Sequence, residues 1–136
     1  MPKAIEILLV EDNPADVRLT EEALKDTGIA YTLHVVGDGE EALSFLRRQG
    51  EFSAKPRPDV VLLDLNMPQK DGHEVLAEIR DDDSINKIPL VVLTVSQEDR
   101  DILKALDLKM NYYLHKPVHP DRLHSILAMI QDLWLE

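Results

Sequence analysis

Residues 60–72, VVLLDLNMPQKDG, constrain the fold more than any other part of the chain. Four consecutive apolar residues run directly into one carboxylate, Asp64, and a loop that holds Pro68 and Gly72 follows. A short apolar run bounded by turn-forming residues is typical of a strand covered on both faces, as in a parallel sheet. Asp64 would then lie at the carboxyl end of that strand, where open α/β sheets bind their ligands. An isolated aspartate in this place more often only begins a turn. The residues at the other strand ends must therefore show whether Asp64 is part of a functional site.

Strand-like and helix-like patterns alternate five times along the chain. Apolar runs predict strands at residues 5–10, 31–36, 60–64, 90–94 and 111–115. Apolar residues at helical spacing predict helices at 15–27, after Gly39, after Gly72, at 98–106 and from Pro120 onwards. Five such βα units imply right-handed crossovers and a parallel sheet with helices on both faces. The expected fold class is therefore α/β, a three-layer, doubly wound, five-stranded parallel sheet.

Local patterns give four further expectations. The first helix should end at Gly28 and bury one face, made of Val17, Leu19, Ala23 and Leu24. The second strand alternates more than the first, which places it nearer an edge of the sheet. Residues 49–58 contain three Gly or Pro residues and predict an extended loop. The acidic run 81–83 is expected to be a solvated loop with no other role.

Composition narrows the class of protein. A chain of 136 residues with 44% hydrophobic residues suits one domain with one core, over residues 1–136. It has no cysteine, so a thiolate metal site and a disulfide framework are excluded. The net charge of -11 argues against binding to nucleic acid, whose phosphates it would repel. There is no membrane-span or signal-peptide pattern, and a soluble cytoplasmic protein with no membrane partner is the expectation.

The strand ends should gather five polar residues at one rim of the sheet: Glu11, Asp12, Asp64, Thr94 and Lys116. Three carboxylates that lie close together repel one another and so favour a cation. Mg²⁺ prefers oxygen ligands and commonly combines one or two carboxylates with phosphate oxygens. The lysine and the threonine hydroxyl can contact a phosphoryl group, and a carboxylate can accept one as an acyl phosphate. The pattern therefore predicts a magnesium-dependent phosphoryl site.

Each of these residues has an ordinary explanation when it is considered alone. Glu11 and Asp12 could cap the first helix, Thr94 is common in strands, and Lys116 could be a surface charge. Their joint occurrence at successive strand ends, in this order, is much harder to explain by chance.

At these positions the chain resembles the receiver domains of two-component response regulators. The resemblance covers nearly the whole chain through the motifs LLVEDNPAD, LLDLNMPQKDG, VVLTVS and YLHKPV. It implies the flavodoxin-like strand order 2-1-3-4-5. It also implies a phosphorelay protein that is not an enzyme in the ordinary sense, although it promotes its own phosphorylation and dephosphorylation.

The resemblance assigns the chemistry to particular positions. Asp64 would be the phosphoacceptor, which receives its phosphoryl group from the histidine of a sensor histidine kinase. Glu11 and Asp12 would hold Mg²⁺ directly or through water, together with Asp64 and the backbone carbonyl of Asn66. Glu11 stands where an aspartate is more frequent in the family, and it lengthens one ligand arm.

The resemblance also implies a conformational switch. Thr94 and Lys116 would contact the phosphoryl oxygens, and Tyr113 matches the switch aromatic. Phosphorylation would draw Thr94 inward and let Tyr113 turn toward the core, which would repack the surface formed by the fourth helix, fifth strand and fifth helix. The Lys116–Pro117 peptide would be cis.

A narrower resemblance is to the small regulators paired with cyanobacterial and bacterial phytochromes. It rests on the loop through Lys55 and Pro56, on NYYLHKPV, and on the final helix with Leu133 and Trp134. This group implies a stand-alone receiver with no effector domain, a phytochrome-type kinase, and a downstream target or phosphotransfer protein. Tyr112 and Trp134 could form a homodimer contact, and core packing of Trp134 is the open alternative.

Three other functions fit part of the pattern. A phosphohydrolase of the haloacid dehalogenase type shares the aspartyl nucleophile, but it normally has a second aspartate where this chain has Asn66. A flavodoxin-like flavin binder shares the fold, but Glu11 and Asp12 would repel its phosphate. A phosphate-independent pseudo-receiver usually lacks the acceptor or the acidic pair, and both are present here. The histidines at 34, 73, 115, 119 and 124 show no metal-ligand spacing, which favours surface or supporting roles.

Overall fold

The computed structural model describes residues 4–64, 72–94, 111–116 and 118–134. Five strands form one parallel sheet: β1 (Ile5–Val10), β2 (Tyr31–Val36), β3 (Val60–Asp64), β4 (Leu90–Thr94) and β5 (Asn111–His115). Their order is β2-β1-β3-β4-β5, and every neighbouring pair is parallel. The predicted α/β class and strand order are confirmed. The edge position predicted for β2 is confirmed as well.

The helices alternate with the strands as the sequence predicts. They are α1 (Pro14–Asp26), α2 (Gly39–Leu46), α3 (Gly72–Asp81) and a C-terminal helix (Pro120–Trp134). The helix predicted at 98–106 lies outside the described residues. A short 3-10 helix (Gly50–Phe52) occupies part of the segment predicted to be an extended loop, and it corrects that expectation. Among the helices that the structure describes, none is long and apolar enough to cross a bilayer.

The start of α1 is fixed by local chemistry that also positions the functional site. The Asn13 side chain accepts hydrogen bonds from the backbone N–H groups of Ala15 and Asp16, at 2.9 and 3.3 Å. Pro14 follows at the first helical position, where its missing N–H costs nothing. At the other end, Gly28 has a φ of 74°, a left-handed conformation that favours glycine. The predicted helix stop at Gly28 is confirmed.

Two apolar cores lie on opposite faces of the sheet. Alternate residues of β1, β3 and β4 point to each face, so each of these three strands contributes to both cores. One core packs the sheet against α2 and α3, and the other packs it against α1 and the C-terminal helix. This arrangement buries β3 on both faces, as its continuous apolar run predicts.

The buried face of α1 differs from the predicted one at a single position. Leu19 is 52% exposed, whereas Thr20 is buried beside Ala23 and Leu24. Positions 20, 23, 24 and 27 follow the helical i, i+3, i+4, i+7 spacing, and residue 19 falls outside that stripe. The prediction that Leu19 faces inward is wrong, because the apolar character of a residue does not by itself show that it lies on the buried face of the helix.

The acidic run 81–83 also has a role that the sequence did not predict. One Asp82 oxygen accepts a hydrogen bond from Arg47 Nε at 2.9 Å. The other accepts from the backbone N–H and the hydroxyl of Ser84, at 2.9 and 2.6 Å. The Ser84 hydroxyl and N–H bonds, together with Arg47, lower the pKa of Asp82 from 3.8 to about 2. Asp82 therefore joins the end of α2 to the turn after α3.

Candidate functional site

The carboxyl ends of the strands bring distant parts of the chain to one edge of the sheet. The register of β1 and β3 puts Glu11, directly after β1, level with Asp64, the last residue of β3. The backbone N–H of Glu11 donates to Val36 at 3.0 Å, which fixes the chain just beyond the strand. Lys116 follows directly after β5. Parallel pairing alone thus places two acids and one amine at the same edge.

Three carboxylates form a compact group at this edge. One oxygen from each of Glu11, Asp12 and Asp64 lies within 4.8 Å of the others. Glu11 and Asp64 are buried, at 3% and 2% exposure, and Asp12 is exposed. Buried carboxylates are costly unless a cation or hydrogen bonds compensate them. The group therefore needs positive charge.

Lys116 supplies part of that charge. Its Nζ donates to Asp64 Oδ2 at 3.2 Å, to Glu11 Oε1 at 3.1 Å and to Asp16 Oδ2 at 3.1 Å. The Lys116 side chain is only 15% exposed. An ammonium group has three N–H donors, and here each one has a carboxylate partner. The lysine is thus held beside the predicted acceptor by three ion pairs.

The pKa of Glu11 shows that one ammonium is not enough. Burial raises this pKa most, and the hydrogen bond and negative charge of Asp64 raise it further, from 4.5 to about 8. Lys116 opposes the shift without cancelling it. Glu11 therefore binds a proton or another cation much more readily than an exposed glutamate does.

The pKa values of Lys116 and Asp16 shift in the way their contact requires. Burial acts to lower the pKa of Lys116, but the hydrogen bond to Asp16, the charge of Asp64 and the bonds to Glu11 and Asp64 together raise it. The hydrogen bond from Lys116 lowers the pKa of Asp16. Both groups are accordingly charged at neutral pH.

The residues present fit a hard divalent cation. Oε2 of Glu11 is buried and accepts no hydrogen bond within the described part of the chain. The other oxygen of Glu11 accepts a hydrogen bond from Lys116, and the neighbouring atoms that could bind a metal are carboxylate oxygens. Mg²⁺ and Mn²⁺ both prefer such all-oxygen sites. A cation at this group would satisfy the unpartnered oxygen and offset the excess negative charge.

The structure brings together four of the residues that the sequence singled out: Glu11, Asp12, Asp64 and Lys116. For Thr94 and Tyr113 it gives the backbone, in β4 and β5, and their side chains lie outside the described residues. Asn66 and Pro117 also lie outside, so the expected carbonyl ligand and the expected cis peptide stay predictions.

Asp16 is the site residue that the sequence reasoning missed. It lies in the first turn of α1, where an acidic residue is usually explained by the helix dipole. A usable signal was present, since Asp16 closes the motif LLVEDNPAD four residues after Asp12. One helical turn brings position 16 back to the edge where the chain left β1.

Two histidines in the described part, His34 and His124, contact other elements of the fold. His34 Nε2 lies 2.9 Å from Glu6 Oε2 across β1 and β2, and the ring packs on Phe45 with centroids 5.2 Å apart. His124 Nδ1 lies 2.9 Å from the Thr27 carbonyl at the end of α1. Both contacts agree with the supporting roles expected for these residues.

Comparison with known proteins places this edge of the sheet in a family. The family model described as "Response regulator receiver domain" matches residues 7–128. The chain belongs to the response regulator receiver family. The match covers all of the described strands except the first residues of β1, and it includes every residue of the carboxylate group and Lys116. The resemblance of the motifs is thereby confirmed, and a haloacid dehalogenase or a flavodoxin is not the assignment.

Relatives with similar sequences and structures include response regulators, one of which is named for a phytochrome. Response regulator Rcp1 of Synechocystis sp. is 45% identical over 130 residues, which are 96% of this chain and 88% of Rcp1. A solved structure of Rcp1, described as its Mn(2+)-bound form, has a TM-score of 0.75 and covers 97% of this chain and 95% of that one. The phosphorylated cyanobacterial phytochrome response regulator RcpA is 44% identical with a TM-score of 0.78, and covers 98% of this chain and 96% of its own.

A third relative extends the similarity beyond these two. The bacteriophytochrome response regulator RtBRR is 39% identical, with a TM-score of 0.86, and the match covers 97% of this chain and 81% of that one. The predicted likeness to phytochrome-associated regulators is therefore confirmed at the level of sequence and fold.

Proposed function

We propose that this receiver domain accepts a phosphoryl group on Asp64 from a sensor histidine kinase, with a divalent cation bound beside it. One observation carries the proposal: the carboxylate that ends the central strand lies 3.2 Å from Lys116 Nζ and within 4.8 Å of the Glu11 and Asp12 carboxylates. A nucleophile, a fixed ammonium and a cation-binding group thus surround one point. Phosphoryl transfer requires little beyond positioning and charge stabilisation, and these groups supply both.

Glu11, Asp12 and Asp64, with the backbone carbonyl of Asn66, are the proposed ligands of Mg²⁺. When bound, the cation neutralises charge on the phosphoryl oxygens during transfer. The Glu11 oxygen that has no hydrogen-bond partner among the described residues, and the raised pKa of Glu11, support this role. A solved structure of Rcp1, which is 45% identical to this chain, is described as its Mn(2+)-bound form and supports the proposal of a divalent cation.

The transfer itself uses few groups of this chain. An Asp64 carboxylate oxygen forms a bond to phosphorus while the bond from phosphorus to the kinase imidazole nitrogen breaks, and that nitrogen leaves with the electron pair and takes a proton. Lys116, already at 3.2 Å from Asp64, follows the new dianion and contacts a phosphoryl oxygen. Dephosphorylation is a separate step in which a water oxygen bonds to phosphorus, the bond from phosphorus to the Asp64 oxygen breaks, Asp64 leaves as a carboxylate, and the phosphate and solvent take the protons of the water. The chain thereby promotes its own phosphorylation by the donor and its own dephosphorylation by water.

The output is a bias between two conformations. We propose that Thr94 and Tyr113 form the switch, and that they act on the surface formed by the predicted helix at 98–106, β5 and the C-terminal helix. A ligand or covalent group shifts such an equilibrium only through different interaction with the two states. The recipients in this proposal are a downstream protein or a phosphotransfer protein, and a second copy of the chain is a further candidate partner.

The kinase in this proposal is of the phytochrome type, because Rcp1, RcpA and RtBRR are all similar to this chain and the last two are named as phytochrome regulators. We further propose that residues 1–136 form a single receiver domain that acts in the cytoplasm. Transfer rates from a panel of purified sensor kinases test the kinase assignment. A phytochrome-type kinase should be the fastest donor, and faster transfer from an unrelated kinase would contradict the assignment of a phytochrome-type partner.

Labelling by a radioactive small acyl phosphate in the presence of Mg²⁺ tests the acceptor. The wild-type chain should take up one phosphoryl group, and Asp64→Asn should take up none. A matched control is Asp59→Asn, which removes a carboxylate next to the opposite end of β3. It should keep the label. Label on Asp64→Asn contradicts the acceptor assignment, and absence of label on the wild type favours a phosphate-independent pseudo-receiver.

A further inference from the structure

Lys116 has one carboxylate partner that the proposed chemistry does not use. Glu11 and Asp64 are assigned to the cation and the phosphoryl group, but Asp16 Oδ2 also lies 3.1 Å from Lys116 Nζ. Asp16 is not part of the group of three carboxylates that could hold a metal. We propose that Asp16 is a positioning residue that holds Lys116 in the unphosphorylated chain and competes with the incoming phosphoryl group for its ammonium. This inference rests on the proposed function of Asp64.

The fold makes Asp16 a separate anchor for the lysine. Its backbone N–H is bonded to the Asn13 cap, and Pro14 fixes the first turn of α1, so the Asp16 backbone is held at the rim. Its side chain is 35% exposed, whereas those of Glu11 and Asp64 are 1% and 3% exposed. A cation that binds Glu11 and Asp64 leaves the ion pair between Asp16 and Lys116 intact. Asp16 is then the partner that the phosphoryl oxygen must displace.

The charges at the site give the competition its direction. Among the described residues, this edge holds four carboxylates, Glu11, Asp12, Asp16 and Asp64, and one ammonium, which contacts all of them except Asp12. A phosphoryl donor is itself an anion and is attracted by the Lys116 ammonium. This attraction is weaker while Lys116 stays paired with Asp16, and stronger when Lys116 is free to contact the donor. Removal of the Asp16 carboxylate should therefore speed phosphorylation. The expected gain is modest because the ion pair with Asp16 is partly exposed to water.

Uptake from acetyl phosphate in saturating Mg²⁺ measures this effect directly. In that reaction an Asp64 oxygen bonds to phosphorus, the bond from phosphorus to the acetyl oxygen breaks, and acetate leaves. Asp16→Asn removes the charge, and Asp16→Ala removes the hydrogen-bond acceptor as well. Both should phosphorylate about twofold to fivefold faster than the wild type, which is the range expected for a partly exposed ion pair. Asp16→Glu, which keeps the carboxylate, should stay closer to the wild-type rate than either.

Two controls separate positioning of Lys116 from a general charge effect. Glu22→Gln removes an exposed carboxylate from the same helix and matches the change in net charge, and it should leave the rate unchanged. The second control is a double-mutant cycle with Lys116→Met, run at an ionic strength that screens exposed charges. If Asp16 acts through the lysine, Asp16→Asn should have no effect in the Lys116→Met chain.

Each outcome of these measurements is decisive. Faster uptake by Asp16→Asn and Asp16→Ala that disappears in the Lys116→Met chain supports the inference. An unchanged or slower rate overturns it, as does an acceleration that persists without Lys116 or that Glu22→Gln reproduces. Failure of the proposed function looks different, because the wild-type chain itself would then take up no phosphoryl group.

Discussion

Two clusters of ion pairs in this molecule differ in how fully their carboxylate charges are balanced. At the carboxyl edge of the sheet, Lys116 faces three carboxylates, and one oxygen of Glu11 still lacks a partner within the described residues. Beside α2 and α3, Asp82 pairs with Arg47, and Ser84 satisfies its second oxygen. The first cluster has excess negative charge that is buried, and the second is balanced and near the surface.

The pKa values record the same difference. Burial and the charge of Asp64 raise the pKa of Glu11 to about 8, while Ser84 and Arg47 lower the pKa of Asp82 to about 2. A carboxylate that the fold stabilises has a lowered pKa, and one that the fold leaves in need of a cation has a raised pKa. Unfavourable charge retained in a buried place is typical of a functional site, because a stability-optimised protein would have replaced it.

Loss of the ammonium should give the largest change in stability. Lys116→Met leaves the buried carboxylates without their cation, and we expect the metal-free chain to lose about 2–4 kcal/mol of unfolding free energy at pH 7, a little less than a fully buried broken pair costs. Added Mg²⁺ should recover part of this loss because it replaces the missing charge. Urea unfolding with EDTA and with Mg²⁺ measures both effects.

The matched control is Arg47→Met, which removes the cation of the balanced pair. It should cost much less than Lys116→Met, and Mg²⁺ should not reverse its effect. Equal losses in the two variants, or a Lys116→Met loss that Mg²⁺ leaves unchanged, would remove the distinction between the two clusters.

A pH-dependent effect of intermediate size should come from Glu11. Its pKa is 4.5 when unfolded and about 8 in the folded, metal-free chain. The folded state therefore holds the proton more tightly, and stability is highest below pH 4.5 and falls as the pH rises to about 8. Glu11→Gln has no charge to develop, so it should be more stable than the wild type at pH 8, by on the order of 2 kcal/mol.

The measurement is urea unfolding in EDTA at several pH values. The wild type and Glu11→Gln should have similar midpoints near pH 4 and diverge as the pH rises. Parallel pH profiles for the two chains would show that Glu11 is not the group that titrates.

The smallest effect should come from Asp82, and its pH dependence should have the opposite sign. Its pKa falls from 3.8 to about 2 on folding, so the contribution to stability is present above pH 3.8 and disappears as the pH falls through about 2. Asp82→Asn should lower the thermal midpoint slightly at pH 7 and match the wild type below pH 2. A difference that is as large at pH 2 as at pH 7 would mean that the ionised carboxylate is not responsible.

The sequence predicts the fold well because a strand that is buried on both faces has an unbroken run of apolar residues. The unbroken apolar run of β3 and the alternating run of β2 are distinct patterns, and each matches its place in the sheet. The face of α1 was harder to predict. Leu19 and Thr20 are adjacent, and only packing against the sheet shows that the polar one lies inside.

The residues of the site also differ in how well the sequence alone predicts their positions. Residues that directly follow a strand or end it, such as Glu11, Asp64 and Lys116, could be placed because parallel strands end at one edge. Asp16 and Asp82 act through side chains that reach across to other elements. The spacing from Asp12 indicates that Asp16 returns to the site edge, but the partners of Asp16 and Asp82 depend on the angle at which α1, α2 and α3 pack on the sheet.

The most direct test of the central claim is to locate the phosphoryl group chemically. An acyl phosphate on an aspartate is reduced by borohydride to homoserine, and peptide mass spectrometry then identifies the residue that was modified. After incubation of the wild-type chain with acetyl phosphate and Mg²⁺, we expect this mark at position 64 and a large decrease when EDTA replaces Mg²⁺. A mark at another aspartate, or equal modification with and without the metal, would contradict a cation-assisted acceptor at Asp64.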